Sequence, residues 1–171
     1  MANIFIALGS NKGNRHFNLQ TTTTKLQSHV NVCFKSPIYS TVPIGMGGKR
    51  VFNQILFCQT TLSPKQLLNK TQEIERSLGR GPDEKGKSLP RAIDIDILTY
   101  GGRRVRLPTI ILPHPRMFLW FFVLIPLNNL LITLERKKPS LFSQINKSFV
   151  KKVFTARKAL HVPKNAIRTI A

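Results

Sequence analysis

Two aspartates, Asp94 and Asp96, lie one residue apart in the otherwise apolar run RAIDIDIL (91–98). The chain of 171 residues holds only 7 Asp and Glu against 27 Lys and Arg, so a close pair of acids is unusual here. The β-branched residues predict a strand, on which both carboxylates point to one face and the three isoleucines to the other. Two unpaired carboxylates at this spacing repel each other, and a cation must offset that repulsion. Basic side chains or Mg²⁺ could supply the positive charge, and the spacing leaves both open.

Basic side chains flank this pair on both sides in the sequence. Arg91 precedes it, the polar loop before that carries Arg80 and Lys85, and His114 and Arg116 follow in LPHPRM (112–117). A pair of acids among cations suits phosphoryl transfer, in which positioning and charge neutralisation lower the barrier. The sequence contains neither G-x-x-x-x-G-K-[ST] nor G-x-G-x-x-G, so we expect side chains and metal to hold the phosphates.

The predicted elements follow the order strand, helix, strand, strand, helix, strand. The second helix is the clearest, because Ser63 and Gln66 form a capping-box pattern with Pro64 at the first helical position. This order indicates an α+β protein with a ferredoxin-like α/β sandwich, an antiparallel sheet with helices packed on its faces. We expect the two helices to cover one face and the carboxylates to lie on the uncovered one. The predicted strands span 3–8, 30–42, 51–62 and 91–98, and the predicted helices span 14–30 and 63–79.

The formal net charge is +20, and half of it lies at the end of the chain. Residues 136–171 contain ten Lys and Arg and no Asp or Glu. Such a segment is either a nucleic-acid arm or a solvated, weakly ordered terminus, and we favour the second. We therefore predict a domain over residues 1–130 and a basic C-terminal extension over 131–171. Nucleic acid is expected to bind only non-specifically, through the charge.

The start of the sequence does not have the form of a secretory signal, because it turns polar after eight residues and has no basic lead-in. The longest apolar stretch, MFLWFFVLIPL (117–127), has about half the length that a membrane-spanning helix requires. We expect a cytoplasmic protein that is a monomer and has no contact with a membrane.

The segments ALGSN, IYSTVPIG, FNQ, QEIERSLGR, PRAIDIDIL and LPHPRM…FVLIPL occur in this order between residues 3 and about 128. Their order and spacing resemble those of the 6-hydroxymethyl-7,8-dihydropterin pyrophosphokinase family. The resemblance implies a ferredoxin-like fold and the transfer of a pyrophosphoryl group from MgATP to the hydroxymethyl oxygen of the pterin, which leaves AMP. It also implies a place in folate biosynthesis, before dihydropteroate synthase.

The resemblance implies roles for individual residues as well. Asp94 and Asp96 would hold two Mg²⁺ ions that bridge the ATP phosphates, and the predicted catalytic residues are Arg80, Arg91, Asp94 and Asp96. The predicted ATP-binding residues, with the flanking cations included, are Gln72, Glu75, Arg80, Lys85, Arg91 and His114. The predicted pterin-binding residues are Thr41, Pro43, Ile44, Asn53 and Phe122.

The chain departs from the family pattern at two positions of this site. Trp120 stands where the family usually has an arginine, and Val51 stands where many members have an aromatic residue, two positions before Asn53. Phe52 is adjacent, but strand alternation directs it to the opposite face. Two alternatives to an active enzyme stay open: a catalytically impaired member that binds nucleotide, and a basic nucleic-acid-binding module.

Overall fold

The fold is a six-stranded antiparallel sheet with helices on both faces and a small two-stranded sheet beside it, seen in a computed structural model that describes residues 1–43, 49–79, 81 and 90–170. The strands are β1 (Ala2–Ser10), β2 (Asn31–Lys35), β3 (Ile38–Thr41), β4 (Val51–Thr60), β5 (Asp94–Tyr100), β6 (Val105–Leu107), β7 (Ile110–Leu112) and β8 (Ile167–Ile170). The helices are α1 (Arg15–Gln27), α2 (Pro64–Ser77), α3 (Phe121–Lys137), α4 (Pro139–Phe142) and α5 (Lys147–Ala159). Six strands form the main sheet in the order β5-β1-β4-β3-β8, with β2 also paired to β4, and β6 pairs with β7. The predicted α+β class is confirmed.

Helices α1 and α2 pack on one face of the main sheet, as predicted. The capping box of α2 is present: the Gln66 N–H donates to the Ser63 hydroxyl, and the Ser63 N–H donates to the Gln66 side chain. The core beneath these helices contains fully buried Leu26 and Leu67, together with the alternate isoleucines of β5. This packing orients β5, because burying its isoleucines turns both aspartates to the other face.

The other face of the sheet is covered too, which corrects the expectation of an uncovered face. Helices α3 and α5 pack against it, and their core includes the buried side chains of Phe57, Leu98, Leu127 and Val153. Apolar residues occupy nearly every position from 121 to 127, so this segment lacks the 3.6-residue period that predicts a surface helix. The face remains open where β5 begins, and the two aspartates lie there.

The predicted strand over 30–42 is two strands, β2 and β3, which pair with different halves of β4. The break occurs at Ser36 and Pro37. Proline has no N–H to donate to a ladder. Ser36 bridges the break, because its N–H donates to the Ile55 carbonyl (2.8 Å) and its hydroxyl accepts the Ile55 N–H (3.0 Å).

The basic C-terminal segment is folded, contrary to the weakly ordered terminus that we favoured. Helix α5 contributes fully buried Val153 to the core, and β8 pairs with β3 at the edge of the main sheet. The predicted boundary at residue 130 falls inside α3, which continues to Lys137. The division into a domain over 1–130 and an extension over 131–171 stays a prediction.

The apolar run 117–127 supplies the first part of α3, a helix of 17 residues with Pro126 buried inside it. Among the helices in the described ranges, none has the length and apolar character needed to cross a membrane.

Candidate active site

A cavity of about 300 Å³ opens at the end of the sheet where β5 begins. Asp94, Gly9 and Asn53 lie in register on three adjacent strands, and Asp96 pairs with Ala7 two positions further along β5. A Cβ atom on Gly9 would lie 3.5 Å from the Oδ1 atom of Asn53 and 4.0 Å from the Cβ atom of Asp94. Because Gly9 has no side chain, the space between the Asp94 carboxylate and the Asn53 amide stays open.

Arg91 is held against the first aspartate of the pair. Its Nη1 atom lies 3.1 Å from the Oδ1 atom of Asp94, and the two side chains are 16% and 37% exposed. Asn11 fixes the backbone of Arg91, because its Oδ1 accepts the Arg91 N–H (2.6 Å) and its own N–H donates to the Arg91 carbonyl (3.1 Å). The structure thus brings Arg91, Asp94 and Asp96 to one cavity, together with Asn11.

The donor set of this cavity fits Mg²⁺. Asp94 and Asp96 are the acidic residues among the described residues that line it. Magnesium typically uses one or two carboxylates and completes its octahedral shell with water and substrate phosphates. Across the part of the chain that the structure describes, no group of three or more His, Cys, Asp and Glu side chains could hold a metal ion. The two carboxylates would occupy part of an octahedral shell and leave its other positions to further oxygen ligands.

A second part of the cavity presents an amide and a hydroxyl. Asn53 is 5% exposed, and its Nδ2 atom donates to the Thr41 hydroxyl (2.8 Å) and to the Val51 carbonyl (3.3 Å). Thr41 and Val42 line the cavity at the end of β3. Buried polar groups fixed in this way suit the edge of a flat heterocycle. Pro43 is described but is not a lining residue of this cavity.

Two aromatic rings form a wall of the same cavity. The ring centroids of Trp120 and Phe122 are 5.2 Å apart and the planes meet at 23°, which is a stacked arrangement. The guanidinium of Arg116 lies 5.2 Å from the Trp120 ring centroid, and Arg116 also lines the cavity. A cation therefore remains beside position 120, although that position itself carries an indole.

The alternation predicted for residues 51–53 is confirmed. Val51 and Asn53 line the cavity, whereas Phe52 packs against the core under α1 and α2. The Arg15 guanidinium lies 4.0 Å from the centroid of the Phe52 ring. Val51 therefore gives the cavity an aliphatic contact, and Phe52 does not replace it as a second stacking ring.

His114 lies behind the aromatic wall. Its ring centroid is 5.0 Å from that of Trp120, and its Nδ1 atom accepts the backbone N–H of Arg116 (3.3 Å). The backbone N–H of His114 donates to the Leu98 carbonyl (2.8 Å). Burial lowers the pKa of His114 below its ordinary value, Arg116 lowers it further, and the charge of Asp94 partly opposes both effects. The neutral imidazole is therefore the favoured form in the folded protein.

We predict that protonation of His114 destabilises the fold. Because its pKa is lower in the folded chain than the ordinary 6.5 of the unfolded chain, the unfolded chain binds the proton first. The contribution of His114 to stability is present above pH 6.5 and is lost as the pH falls through the folded pKa. Urea unfolding at pH values from 5 to 8 should therefore show a smaller pH dependence for His114→Gln than for the wild type. An unchanged difference between the two proteins across this range would contradict the prediction.

Glu75 and Gln72 lie on α2, and neither lines the cavity. Glu75 is 5% exposed, and its Oε1 accepts the Ile95 N–H at 2.8 Å, between the two aspartates in sequence. Gln72 is half-buried one helical turn earlier. The contact of Glu75 with β5 anchors the strand that carries both aspartates, and a direct role of Gln72 or Glu75 in binding ATP stays a prediction.

Replacing Glu75 by leucine should destabilise the protein by about 1–3 kcal/mol, because the Ile95 N–H would lose its buried acceptor. Glu75→Gln keeps an oxygen acceptor and should cost less than half as much. Chemical denaturation of the three proteins measures both differences. Equal stability of the leucine variant and the wild type would show that this hydrogen bond does not hold β5.

Three predicted site residues, Ile44, Arg80 and Lys85, lie outside the described residues. Sequence reasoning assigned no role to Asn11 or Gly9 and named Arg116 only as a flanking cation, and all three residues line the cavity. Asn11 and Gly9 belong to the segment ALGSN, and Arg116 belongs to LPHPRM. Both segments were therefore recognised in the sequence. The contribution of their residues to the cavity depends on the pairing of β1 with β5.

Known proteins resemble this chain in sequence over most of its length. A Bacillus subtilis 2-amino-4-hydroxy-6-hydroxymethyldihydropteridine pyrophosphokinase is 38% identical over 139 residues, which are 80% of this chain and 82% of that protein. A Porphyromonas gingivalis protein of the same name is 36% identical over 144 residues, which are 82% of this chain and 98% of that protein.

Solved structures resemble it in fold. A crystal structure described as HPPK-DHPS in complex with substrates superposes with a TM-score of 0.65 at 12% identity and covers 98% of this chain. Wild-type Plasmodium falciparum HPPK-DHPS with SDX-DHP superposes with a TM-score of 0.54 at 15% identity and covers 75% of this chain. This chain spans 46% and 39% of those chains, and at such identities the likeness concerns the fold alone.

The family model that matches is described as 7,8-dihydro-6-hydroxymethylpterin-pyrophosphokinase (HPPK), and the match covers residues 5–132. It includes all of β1 to β7 except the first residues of β1, and it ends within α3. Every described residue that lines the cavity falls inside it. With a match over more than half of its length, and with relatives above 30% identity, the chain belongs to the 7,8-dihydro-6-hydroxymethylpterin-pyrophosphokinase family.

Proposed function

We propose that this protein transfers the pyrophosphoryl group of ATP to 6-hydroxymethyl-7,8-dihydropterin in folate biosynthesis. The hydroxymethyl oxygen forms a bond to the β-phosphorus, the bond between that phosphorus and the oxygen bridging to the α-phosphorus breaks, and AMP leaves. The hydroxyl proton is released. The products are AMP and the pterin diphosphate, as the names of the related pyrophosphokinases suggest.

The observation that carries this proposal is the row of Asp94, Gly9 and Asn53 across three strands. This row places the two carboxylates in the same cavity as the Asn53 amide and the aromatic rings of Trp120 and Phe122. A reaction between a magnesium nucleotide and a flat heterocycle needs both parts next to each other, because the reacting oxygen and phosphorus must approach in line.

Each part of the cavity has a task in this reaction. Asp94 and Asp96 would hold Mg²⁺, with two ions as the expected number, and bound magnesium offsets charge on the bridging phosphate oxygens. Arg91, fixed by Asp94 and Asn11, and Arg116 present positive charge toward phosphate. A loose transition state gains more from positioning and charge than from a strong general base.

The pterin would occupy the other half of the cavity. Asn53 and Thr41 offer fixed polar groups to the ring edge, and the Phe122 ring offers an apolar face. The side chain of Asn53 has a defined orientation, because its amide nitrogen already donates to Thr41 and Val51. Its Oδ1 oxygen would therefore be the atom that accepts a hydrogen bond from the ring.

The proposal is tested by AMP formation from MgATP with and without 6-hydroxymethyl-7,8-dihydropterin, with Asp94→Ala as the control. Pterin-dependent AMP that disappears in the control supports both the reaction and the role of the carboxylate. AMP without pterin dependence would contradict the proposed acceptor.

A catalytically impaired member is the second candidate, and Trp120 in place of the usual arginine favours it. In that case the folded protein binds MgATP and releases no AMP. Trp120→Arg should then raise AMP formation from the background, because it adds a cation to the cavity wall. A cytoplasmic location and a monomeric state stay predictions.

A further inference from the structure

A second, larger cleft lies at the opposite end of the main sheet from the candidate active site. Its volume is about 790 Å³, and it is formed where β1 begins, where β4 and β5 end, and at the start of α5. Asp94 and Tyr100 mark the two ends of β5, and six residues of strand separate them by roughly 20 Å. We call this space the distal cleft, and a ligand in it would not touch the paired aspartates.

The distal cleft is strongly basic. Arg103, Arg104 and Lys152 line it, and the described residues that line it include no Asp or Glu. All three basic side chains are exposed, and within the described ranges none of them forms an ion pair or a side-chain hydrogen bond. Three cations that line a cleft whose described residues include no acidic side chain favour an anionic ligand.

Phenyl rings line the same cleft. The Phe149 ring centroid lies 5.4 Å from that of Phe5 and 6.5 Å from that of Phe118. Phe118 and Phe149 are only partly buried, so their rings retain surface toward the cleft. An apolar aromatic surface beside cations suits a ligand that has both a flat ring and phosphate groups.

The basic residues sit on a fixed frame. Arg103 closes a tight turn in which its N–H donates to the Tyr100 carbonyl (2.9 Å), and Gly101 and Gly102 adopt the positive φ angles of 54° and 71°. A Cβ atom on Gly102 would lie 3.3 Å from the Nδ2 atom of Asn146, so the turn rests against the start of α5. Because the turn and α5 are in contact, the backbone positions that carry Arg103, Arg104 and Lys152 are fixed relative to one another.

We propose that the distal cleft is a second binding site, for a nucleoside polyphosphate. The base lies against Phe118 and Phe149, and Arg103, Arg104 and Lys152 bind the phosphates. Since the described lining of the cleft has no carboxylate to recruit Mg²⁺, binding here does not require the metal. Binding without Mg²⁺ distinguishes the distal cleft from the cavity of Asp94 and Asp96, whether or not the proposed reaction takes place.

The test counts binding sites for α,β-methylene-ATP by equilibrium dialysis, with EDTA and with Mg²⁺. We expect one site in EDTA and two in Mg²⁺, and the double variant Asp94→Ala/Asp96→Ala should keep the site seen in EDTA. Failure of the proposed function would remove the additional site in Mg²⁺ and leave the site in EDTA unchanged, so the two failures are distinguishable. Absence of binding in EDTA to the wild type would overturn the proposal.

Matched triple variants separate the site from general charge attraction. Arg103→Gln/Arg104→Gln/Lys152→Gln should weaken binding in EDTA at least tenfold. The control removes three exposed lysines on the α1 and α2 side, in Lys25→Gln/Lys35→Gln/Lys65→Gln, and should change binding less than twofold. Equal losses in the two triple variants would show attraction by net charge only and would overturn the proposal. If the first variant fails to fold, Arg103→Gln and Lys152→Gln alone, each expected to lose about threefold or more, decide the same question.

A ligand without a ring tests the role of the aromatic surface. Tripolyphosphate should bind more weakly than α,β-methylene-ATP, and Phe118→Leu should weaken the nucleotide about fivefold while leaving tripolyphosphate unchanged. Equal affinity of the two ligands would contradict the nucleoside part of the proposal and leave an inorganic polyphosphate site instead.

Discussion

Asp96→Asn should lower the rate of AMP formation by about 10³-fold, while the protein stays folded. The substitution keeps the size of the side chain but removes one of two carboxylates at the cavity. Loss of one preorganised electrostatic group at a reacting centre typically costs 10²- to 10³-fold, and a weakened metal site adds to that loss. Stability should not fall, because the variant also removes repulsion between two neighbouring carboxylates.

The measurement for Asp96→Asn is AMP release as a function of Mg²⁺ concentration. Glu73→Gln is the matched control, since Glu73 is an exposed acid on α2 that pairs with Lys70 (2.8 Å) far from the cavity lining. The control should keep the wild-type rate and the wild-type requirement for Mg²⁺. A near-normal rate of Asp96→Asn at the same Mg²⁺ concentration would remove this carboxylate from the mechanism.

Arg50→Met should raise the KM for the pterin about tenfold and leave the KM for ATP within twofold. Arg50 joins β3, which ends at the proposed pterin pocket, to the residues that immediately precede β8. Its Nε donates to the Ser40 hydroxyl (2.9 Å), its Nη2 donates to the carbonyls of Ser40 (2.8 Å) and Ala166 (3.3 Å), and its Nη1 donates to the Asn165 carbonyl (3.2 Å). The Ala166 carbonyl also accepts the N–H of Val42, which lines the cavity.

Loss of the Arg50 side chain should also destabilise the protein by roughly 2–3 kcal/mol, because hydrogen bonds from a charged group are replaced by none. Arg50→Lys keeps the charge but not the planar fork, so it should fall between the wild type and Arg50→Met. Steady-state kinetics with each substrate varied in turn separates the two KM values. Equal increases in both would indicate a general loss of structure, and no increase would show that the C-terminal strand does not position Thr41 and Val42.

The helix and the strands that carry the candidate site could be predicted from local sequence patterns. The capping box at Ser63 placed the start of α2, and alternation along 91–98 placed both aspartates on one face. The same alternation separated Val51 and Asn53 from Phe52. Each of these features depends on neighbours within a few residues, and a single sequence contains that information.

Features that depend on distant pairing could not be predicted in this way. No local pattern places β8 beside β3 or α5 on the second face, because these contacts join elements that are far apart in the chain. The role of Gly9 follows only from its register with Asp94 and Asn53. Arg116 was expected only as a cation near the paired aspartates, and the position of its guanidinium over the Trp120 ring depends on the fold.

Trp120 has one further consequence, which is spectroscopic. It is the only tryptophan in the chain of 171 residues, and it forms part of the wall of the candidate active site. The tryptophan fluorescence of the protein therefore arises from the cavity, where the Trp120 indole contacts Arg116 and Phe122. A nucleotide or pterin that enters should change the emission intensity or wavelength without any attached label, so stopped-flow fluorescence can time the arrival of each substrate separately.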